Sequence, residues 1–228
     1  MIGAYYNDSD AYVCDWLENL IRAGHIAPGD VDRRSIVDVS ADDLRGYAQC
    51  HFFAGIGGWP LALRQAGVPD DRPLWTGSCP CQRFSSAARG RNTADDLWPH
   101  WLPLIAAKRP RELFGEQVAH RSDWIDRVCD DLEALDYEIG AAVLPACAVG
   151  QDHARPRFYF VGHTDRDGQS GVRVNEEVAG MRRDRSDAGS VVPSHGLPSR
   201  MAVLGAFGNA VVVPLAAEFI GAYLDIER

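Results

Sequence analysis

The chain has 228 residues, enough for one sizeable domain with its own core, and 46% of them are hydrophobic, as in ordinary globular proteins. It contains no apolar run of the roughly 18 residues that a membrane span needs, and its first residues lack the basic and apolar blocks of a signal peptide, so we expect a soluble cytoplasmic protein without a membrane partner. Six scattered cysteines do not suggest a disulfide scaffold, and the net charge of −9 argues mildly against a nucleic-acid partner.

The hydrophobic pattern predicts strands that alternate with helices. In chain order, we predict a strand at 2–6, a helix at 13–21, strands at 35–39 and 51–53, a helix at 60–67, a strand at 74–76, a helix at 97–107, a strand at 112–114, a helix at 124–135, strands at 142–144 and 158–161, and a helix from 214. This alternation indicates an α/β fold with a mainly parallel sheet and helices on both faces. Residues 163–200 interrupt it and are predicted to form a loop excursion.

A glycine-rich turn follows the predicted strand at 51–53. It consists of Phe53, Ala54, Gly55, Ile56, Gly57 and Gly58. Glycines after a strand allow a tight turn and let a ligand approach the main chain. The spacing lacks the third glycine of a dinucleotide-binding turn, because Pro60 lies in its place. A purely structural turn is therefore the alternative.

A cysteine follows the strand at 74–76, within the sequence Pro80-Cys81-Gln82-Arg83-Phe84-Ser85. A thiol at the carboxyl end of a parallel strand lies where open α/β sheets bind ligands. Arg83, Arg89 and Arg91 would favour the thiolate form and could bind phosphate. Cys81 could instead be a small buried hydrophobic residue. We expect no metal site at Cys79 and Cys81, because no nearby histidine or second cysteine pair completes one.

Two later segments offer polar groups beside strands. Glu116 follows the strand at 112–114, and a buried carboxyl group there could protonate a base. Arg155 and Arg157 precede the strand at 158–161 and could reach one ligand together, since guanidinium groups suit phosphates and exocyclic oxygens. Taken alone, Glu116 could be a capping residue and the arginines could form surface ion pairs.

The order of these elements resembles the DNA cytosine-5 methyltransferases, and most closely their short phage and prophage members. The resemblance rests on Gly-Ile-Gly-Gly, Pro-Cys-Gln-x-Phe-Ser, Glu-Gln-Val, Arg-x-Arg and Gly-Asn-Ala-Val, in that order, over most of residues 1–162 and 195–225. It implies a Rossmann-like S-adenosylmethionine-dependent methyltransferase sheet. It also implies transfer of a methyl group to carbon 5 of cytosine in double-stranded DNA, in a restriction-modification setting and by a monomer.

The resemblance implies a role for each matching residue. Cys81 would attack cytosine C6 of a base flipped from the duplex, Glu116 would bind N3, and Arg155 and Arg157 would hold the base oxygen and phosphates. The implied cofactor contacts are Phe53, Ala54, Gly55, Ile56, Gly57, Gly58, Leu97, Asn209 and Ala210. The implied DNA contacts are Gln82, Arg83, Ser85, Arg89 and Arg91. Gln117, Arg83 and His153 depart from the usual Asn, Pro and Gln of the family.

The largest departure is in the order of the elements. In the family, an acidic strand end that binds the ribose and a strand that contacts adenine normally follow the glycine turn. In this chain the segments that resemble them, residues 6–12 and 35–39, come before that turn. We therefore predict a rearranged N-terminal strand–helix–strand unit that docks beside the glycine-turn strand. Asp8 would bind the ribose, with Asp10 as the alternative, and Ser35 and Ile36 would flank adenine.

Residues 1–162 and 200–228 would form the catalytic domain, and 163–199 a minimal target-recognition region. The small size of this region leads us to expect that the protein recognises a short or relaxed DNA sequence. The alternative is that a partner protein recognises the target. Two alternatives stay open for the function. One is a non-catalytic DNA-binding relative, and the other is modification of cytosine with a different donor.

Overall fold

Seven strands lie side by side in one sheet, in the order β2-β1-β3-β4-β5-β7-β6, in a computed structural model that describes residues 2–80, 96–119, 122–150, 155–165 and 210–227. The strands are β1 (Ile2–Asn7), β2 (Gly29–Asp32), β3 (Tyr47–Phe52), β4 (Leu74–Gly77), β5 (Glu112–Val118), β6 (Glu138–Leu144) and β7 (Arg157–His163). The helices are α1 (Ala11–Arg22), α2 (Gly58–Gln65), α3 (Trp98–Lys108), α4 (Ser122–Glu133) and α5 (Val213–Ile226).

The sheet is mainly parallel, as predicted. Strands β2, β1, β3, β4 and β5 run in one direction, and β7 lies antiparallel between β5 and β6. On one side β1 pairs with β2, and on the other it pairs with β3, so that Asn7 lies opposite Phe52. The N-terminal strand–helix–strand unit therefore docks beside the glycine-turn strand, which confirms the predicted rearrangement.

The two faces of the sheet bury different helices because successive strand residues point to opposite sides. Tyr5 joins a cluster with Trp101 of α3 and Trp124 of α4, whereas Tyr6 joins a cluster on the other face with Leu17 of α1. Helices α2 and α5 pack on the same face as each other, where Leu63 and Ile220 share a cluster. Helices thus cover both faces, as predicted. Among the described helices, none combines the length and hydrophobicity of a membrane span.

The strand predicted at 35–39 is wrong. Residues Ile36–Asp38 form a 3-10 helix, and the second strand is instead the polar segment Gly29–Asp32 at the edge of the sheet. Ile36 and Val39 are buried while Val37 is 48% exposed, and a spacing of three residues places the two buried side chains on one side of a helical turn. An edge strand tolerates charged residues. Because β2 contains Asp30 and Asp32, it has no apolar run from which the strand could be predicted.

Several predicted elements are longer than expected. Strand β5 continues to Val118, so that Glu116 lies inside the strand and does not follow it as predicted. Strand β6 begins at Glu138, whereas α2 has the predicted length but begins at Gly58, two residues earlier than the predicted helix. The predicted loop excursion lies outside the described residues from position 166 onward.

An ion pair between the partly exposed Arg72 and the buried Glu112 joins the turn before β4 to the amino end of β5. Arg72 donates from Nε to one carboxylate oxygen of Glu112 at 2.9 Å and from its terminal nitrogen to the other, and the Glu112 side chain is 4% exposed. Removing one member of such a pair leaves an uncompensated buried charge. We expect Arg72→Met to lower the free energy of unfolding by about 3 kcal/mol in urea denaturation. Arg72→Met combined with Glu112→Gln should regain most of the loss, and an unchanged stability of the single variant would contradict this role.

Candidate active site

The site is centred where the strand order reverses. From β3 the chain continues outward to β4 and β5, whereas β1 leads to β2 on the opposite side, so the reversal lies between β1 and β3. Ligands of open α/β sheets bind in the crevice at such a point, at the carboxyl ends of the strands. The backbone N–H of Ala54 donates to the Asn7 carbonyl at 3.0 Å, which joins the ends of the two strands.

The glycine turn leaves its main chain open beside this crevice. Gly55 and Gly57 have φ values of +53° and +83°, in the left-handed region that favours glycine. A Cβ at Gly57 would lie 2.9 Å from Leu20 of α1, and one at Gly58 would lie 3.0 Å from Val211, so these two glycines permit close packing. A Cβ at Gly55 would have its nearest neighbour, the Phe53 carbonyl oxygen, at 3.9 Å. Of the three glycines in the turn, Gly55 is therefore the one at which the missing side chain leaves open space for a ligand to approach the backbone.

Asp8 joins the end of β1 to the glycine turn. Its carboxylate accepts a hydrogen bond from the Gly55 N–H at 3.0 Å and another from the Asp10 N–H at 3.0 Å. Burial raises the pKa of Asp8, although the backbone donors partly offset this effect. Asp10 instead caps α1, because its Oδ1 accepts from the N–H groups of Tyr12 and Val13. Of the two candidate acids, Asp8 is the one that contacts the glycine turn.

Apolar side chains cover the neighbouring part of the site. Phe53 and Leu97 pack against the cluster that contains buried Ile36, and Phe53 meets Trp101 edge-on at 5.7 Å between ring centroids. Three of the predicted cofactor contacts therefore share one cluster, although Ile36 reaches it from a 3-10 helix. Ser35 precedes that helix. Ala210 is described, whereas Asn209 lies outside the described residues.

Glu116 lies in β5 and is 6% exposed. Its Oε1 lies 2.9 Å from Nε of Arg157 in the neighbouring strand β7. Burial raises the pKa of Glu116, and the charges of Arg157 and Arg155 oppose the increase. A carboxyl group in this environment retains its proton to a higher pH than an exposed one, which suits the protonation of a weakly basic ring nitrogen.

Arg155 lies just before β7, with a φ of +28°. Its Nη2 donates to the Ala210 carbonyl at 2.9 Å, and its buried Nε has no hydrogen-bond partner among the described residues. Arg157 thus contacts Glu116 directly, and the charge of Arg155 also acts on this carboxyl group. A donor without a partner at Arg155 leaves a position where a polar ligand atom could be bound.

The segment that leads to Cys81 is held beside Glu116. Gln117 donates from Nε2 to the Cys79 carbonyl at 3.1 Å, and Cys79 is 2% exposed. The longer side chain at position 117, a departure from the family pattern, thus holds Cys79, two positions before Cys81. This contact joins side chain to main chain across 38 positions, so no local sequence signal indicated it. Cys81 itself lies outside the described residues, as do the proposed DNA contacts Gln82, Arg83, Ser85, Arg89 and Arg91.

Comparison with curated proteins finds two bacterial type II methyltransferases. M1.ScrFI from Lactococcus lactis subsp. cremoris is 29% identical over 108 residues, covering 44% of this chain and 28% of the relative. M.HaeII from Haemophilus aegyptius is 28% identical over 141 residues, covering 57% of this chain and 44% of the relative. The matched part of each relative is therefore less than half of its length.

Solved structures with a similar arrangement include DNMT2 from Spodoptera frugiperda, with a TM-score of 0.48 and 13% identity over 79% of this chain and 45% of that one. A putative DNA modification methyltransferase encoded in an Escherichia coli prophage has a TM-score of 0.35 and 17% identity over 72% of this chain and 47% of that one.

The family model of the C-5 cytosine-specific DNA methylases matches residues 68–184. The match begins after the glycine turn, so the rearranged N-terminal unit lies ahead of it. The matched segment contains Cys81, Glu116 of β5, and Arg155 and Arg157 at or just before the start of β7. Because the match covers slightly more than half of the sequence, the chain belongs to the C-5 cytosine-specific DNA methylase family.

Proposed function

We propose that the protein transfers a methyl group from S-adenosylmethionine to carbon 5 of cytosine in double-stranded DNA. The observation that carries this proposal is the buried carboxyl group of Glu116. It is paired with Arg157, and the next residue, Gln117, holds Cys79 close to it in the segment that leads to Cys81. An acid, cationic groups and a candidate nucleophile are the groups that activation of a cytosine ring requires.

The chemistry assigns a separate role to each group. The Cys81 thiolate adds to C6 of a cytosine flipped out of the duplex, while the carboxyl group of Glu116 gives a proton to N3. The addition makes C5 nucleophilic, and C5 takes the methyl group with S-adenosylhomocysteine as the leaving group. Loss of the C5 proton to a base then expels the thiolate, and N3 returns its proton to the Glu116 carboxylate as the ring is restored. Arg155 and Arg157 hold the base oxygen and neighbouring phosphates.

S-adenosylmethionine, which supplies an electrophilic methyl group when bound, would lie at the carboxyl ends of β1 and β3, where the strand order reverses. The open main chain at Gly55 admits the cofactor, and Phe53 and Leu97 provide an apolar wall. Asp8 can accept hydrogen bonds from the ribose hydroxyls, because it already lies against the glycine turn. Ala54, Ile56, Gly57 and Gly58 complete the turn, while Ser35, Ile36, Asn209 and Ala210 remain proposed contacts.

Asp8→Ala is expected to weaken binding of S-adenosylhomocysteine by about 10- to 100-fold in calorimetric titration, the cost of losing hydrogen bonds to a charged group. Asp10→Ala is the matched control. It removes the cap of α1 and should lower the free energy of unfolding by about 1 kcal/mol, but it should leave the binding affinity almost unchanged. If Asp8→Ala binds as tightly as the parent, the ribose assignment is wrong.

The DNA contacts rest on sequence, since their residues lie outside the described ranges. Gln82, Arg83, Ser85, Arg89 and Arg91 would contact the duplex near the flipped base, and 163–199 would form a short target-recognition region. Residues 1–162 and 200–228 would form the catalytic domain. A small recognition region leads us to expect a short or relaxed target sequence.

The test is methyl transfer from labelled S-adenosylmethionine to unmethylated duplex DNA. We expect label on cytosine, and bisulfite sequencing of DNA from cells that express the protein should then give the target site. A duplex of A·T pairs alone serves as the control and should take no label. Absence of label on cytosine-containing duplexes of varied sequence would favour a non-catalytic DNA-binding relative.

A further inference from the structure

A tryptophan in the first turn of α2 connects the glycine turn to the catalytic strands. Trp59 follows the last glycine of the turn and is 2% exposed. Its indole Nε1 donates a hydrogen bond to Oγ of Ser78 at 3.0 Å. Ser78 comes directly after β4, in the segment that leads to Cys81. The contact therefore joins the cofactor side of the proposed site to the segment that carries the nucleophile.

The strand register places the same serine beside the catalytic carboxyl group. Gly77 lies opposite Gly115 in the parallel pair of β4 and β5, so the next residues, Ser78 and Glu116, are neighbours. The Ser78 hydroxyl is close enough to the Glu116 carboxylate to act on it as a hydrogen-bond donor, which lowers the pKa of Glu116. Arg157 approaches Oε1 of this carboxylate as well, and the group is thus held by two partners.

The direction of each hydrogen bond follows from the donors available. An indole N–H can only donate, so the Ser78 oxygen must act as the acceptor toward Trp59. The single hydroxyl proton of Ser78 is then free for the Glu116 carboxylate. Without Trp59 the hydroxyl would be free to rotate, and its hydrogen bond to Glu116 would be weaker. Trp59 thereby orients the Ser78 hydroxyl toward Glu116 without contacting the carboxylate through its own N–H group.

We propose that Ser78, oriented by Trp59, is a positioning residue that fixes the orientation of the Glu116 carboxyl group and stabilises its charged form. Its catalytic consequence rests on the proposed function, but its effect on Glu116 does not. Because a donor to a carboxylate favours the ionised state, the Ser78 hydroxyl opposes the increase in the pKa of Glu116 that burial causes. Loss of either Ser78 or Trp59 should therefore raise this pKa further.

The direct measurement is an NMR titration of glutamate carboxyl carbons, with the Glu116 signal assigned by its absence in Glu116→Gln. We expect Ser78→Ala to raise the pKa of Glu116 by about 1, the tenfold effect of one hydrogen bond to a charged group. Trp59→Phe should raise it less, and Ser78→Thr should restore the parent value. Trp124→Phe is the matched control, because the buried Trp124 indole nitrogen lacks a hydrogen-bond partner among the described residues.

Methyl transfer measured against pH separates this inference from the proposed function. If the parent methylates DNA, the loss of kcat at high pH should move upward in Ser78→Ala, and the KM for S-adenosylmethionine should change little. If the parent is inactive but the pKa moves as expected, the positioning role stands and the proposed function fails. An unchanged pKa in both Ser78→Ala and Trp59→Phe overturns the inference, whether or not the parent is active.

Discussion

A Cys81→Ser protein is expected to form no covalent adduct with a duplex that contains 5-fluorocytosine, and to methylate DNA at least about a thousandfold more slowly than the parent. A thiol supplies a usable fraction of thiolate near neutral pH, whereas a serine hydroxyl remains protonated and is a poor nucleophile without a dedicated base. Fluorine at C5 prevents the loss of a proton that would release the enzyme, and so the parent should remain attached to the base.

A denaturing gel detects this adduct as a protein band of higher mass. Cys147→Ser is the matched control, because Cys147 is an exposed free cysteine in the 3-10 helix Ala146–Val149, before β7. It should form the adduct at the parent rate. An adduct that persists in Cys81→Ser would assign the nucleophile to another residue and would overturn the proposed mechanism.

Glu116→Gln should slow methyl transfer by about 10²- to 10⁴-fold, the usual contribution of a positioned general acid. An amide of nearly the same shape can still donate a hydrogen bond to the base, but it cannot deliver a proton to N3. Because burial raises the pKa of Glu116, its protonated form persists to a higher pH than that of an exposed glutamate. The parent rate should therefore fall as the pH rises through this pKa, and the variant should lose that dependence.

Single-turnover rates measured from pH 6 to pH 9 would test this prediction, with circular dichroism to establish that the variant is folded. Glu133→Gln is a suitable control, since Glu133 is exposed at the end of α4. It should keep both the parent rate and the parent pH dependence. A Glu116→Gln rate within about threefold of the parent would mean that proton donation from this group is not required.

Much of the fold could be predicted from local patterns. Apolar runs predicted inner strands such as β7, because a sheet covered by helices on both faces leaves little room for polar residues there. The same criterion failed at β2, where Asp30 and Asp32 belong to an edge strand and the more hydrophobic residues after it form a 3-10 helix. Hydrophobicity thus located the centre of the sheet more reliably than its edge.

Site residues that lie next to a predicted strand could be identified from the sequence. Residues whose role depends on contacts between distant elements could not. Glu116, Arg155 and Arg157 could be proposed because each adjoins an apolar run that predicts a strand, although Glu116 and Arg157 lie within β5 and β7. Ser78 and Trp59 carried no such signal, since their contact requires α2 to pack over the end of β4. The Arg72–Glu112 ion pair likewise joins residues 40 positions apart. These contacts arise from tertiary packing, which local spacing does not encode.

The link between Asp8 and Gly55 has a consequence for the cohesion of the molecule. Asp8 directly follows the first strand, and Gly55, which is 47 positions further along the chain, lies just after the third. A small molecule that contacts both residues would hold the amino-terminal segment against the rest of the sheet. Since a ligand stabilises the state to which it binds, occupancy of the crevice would also slow the transient separation of the first strand from the third.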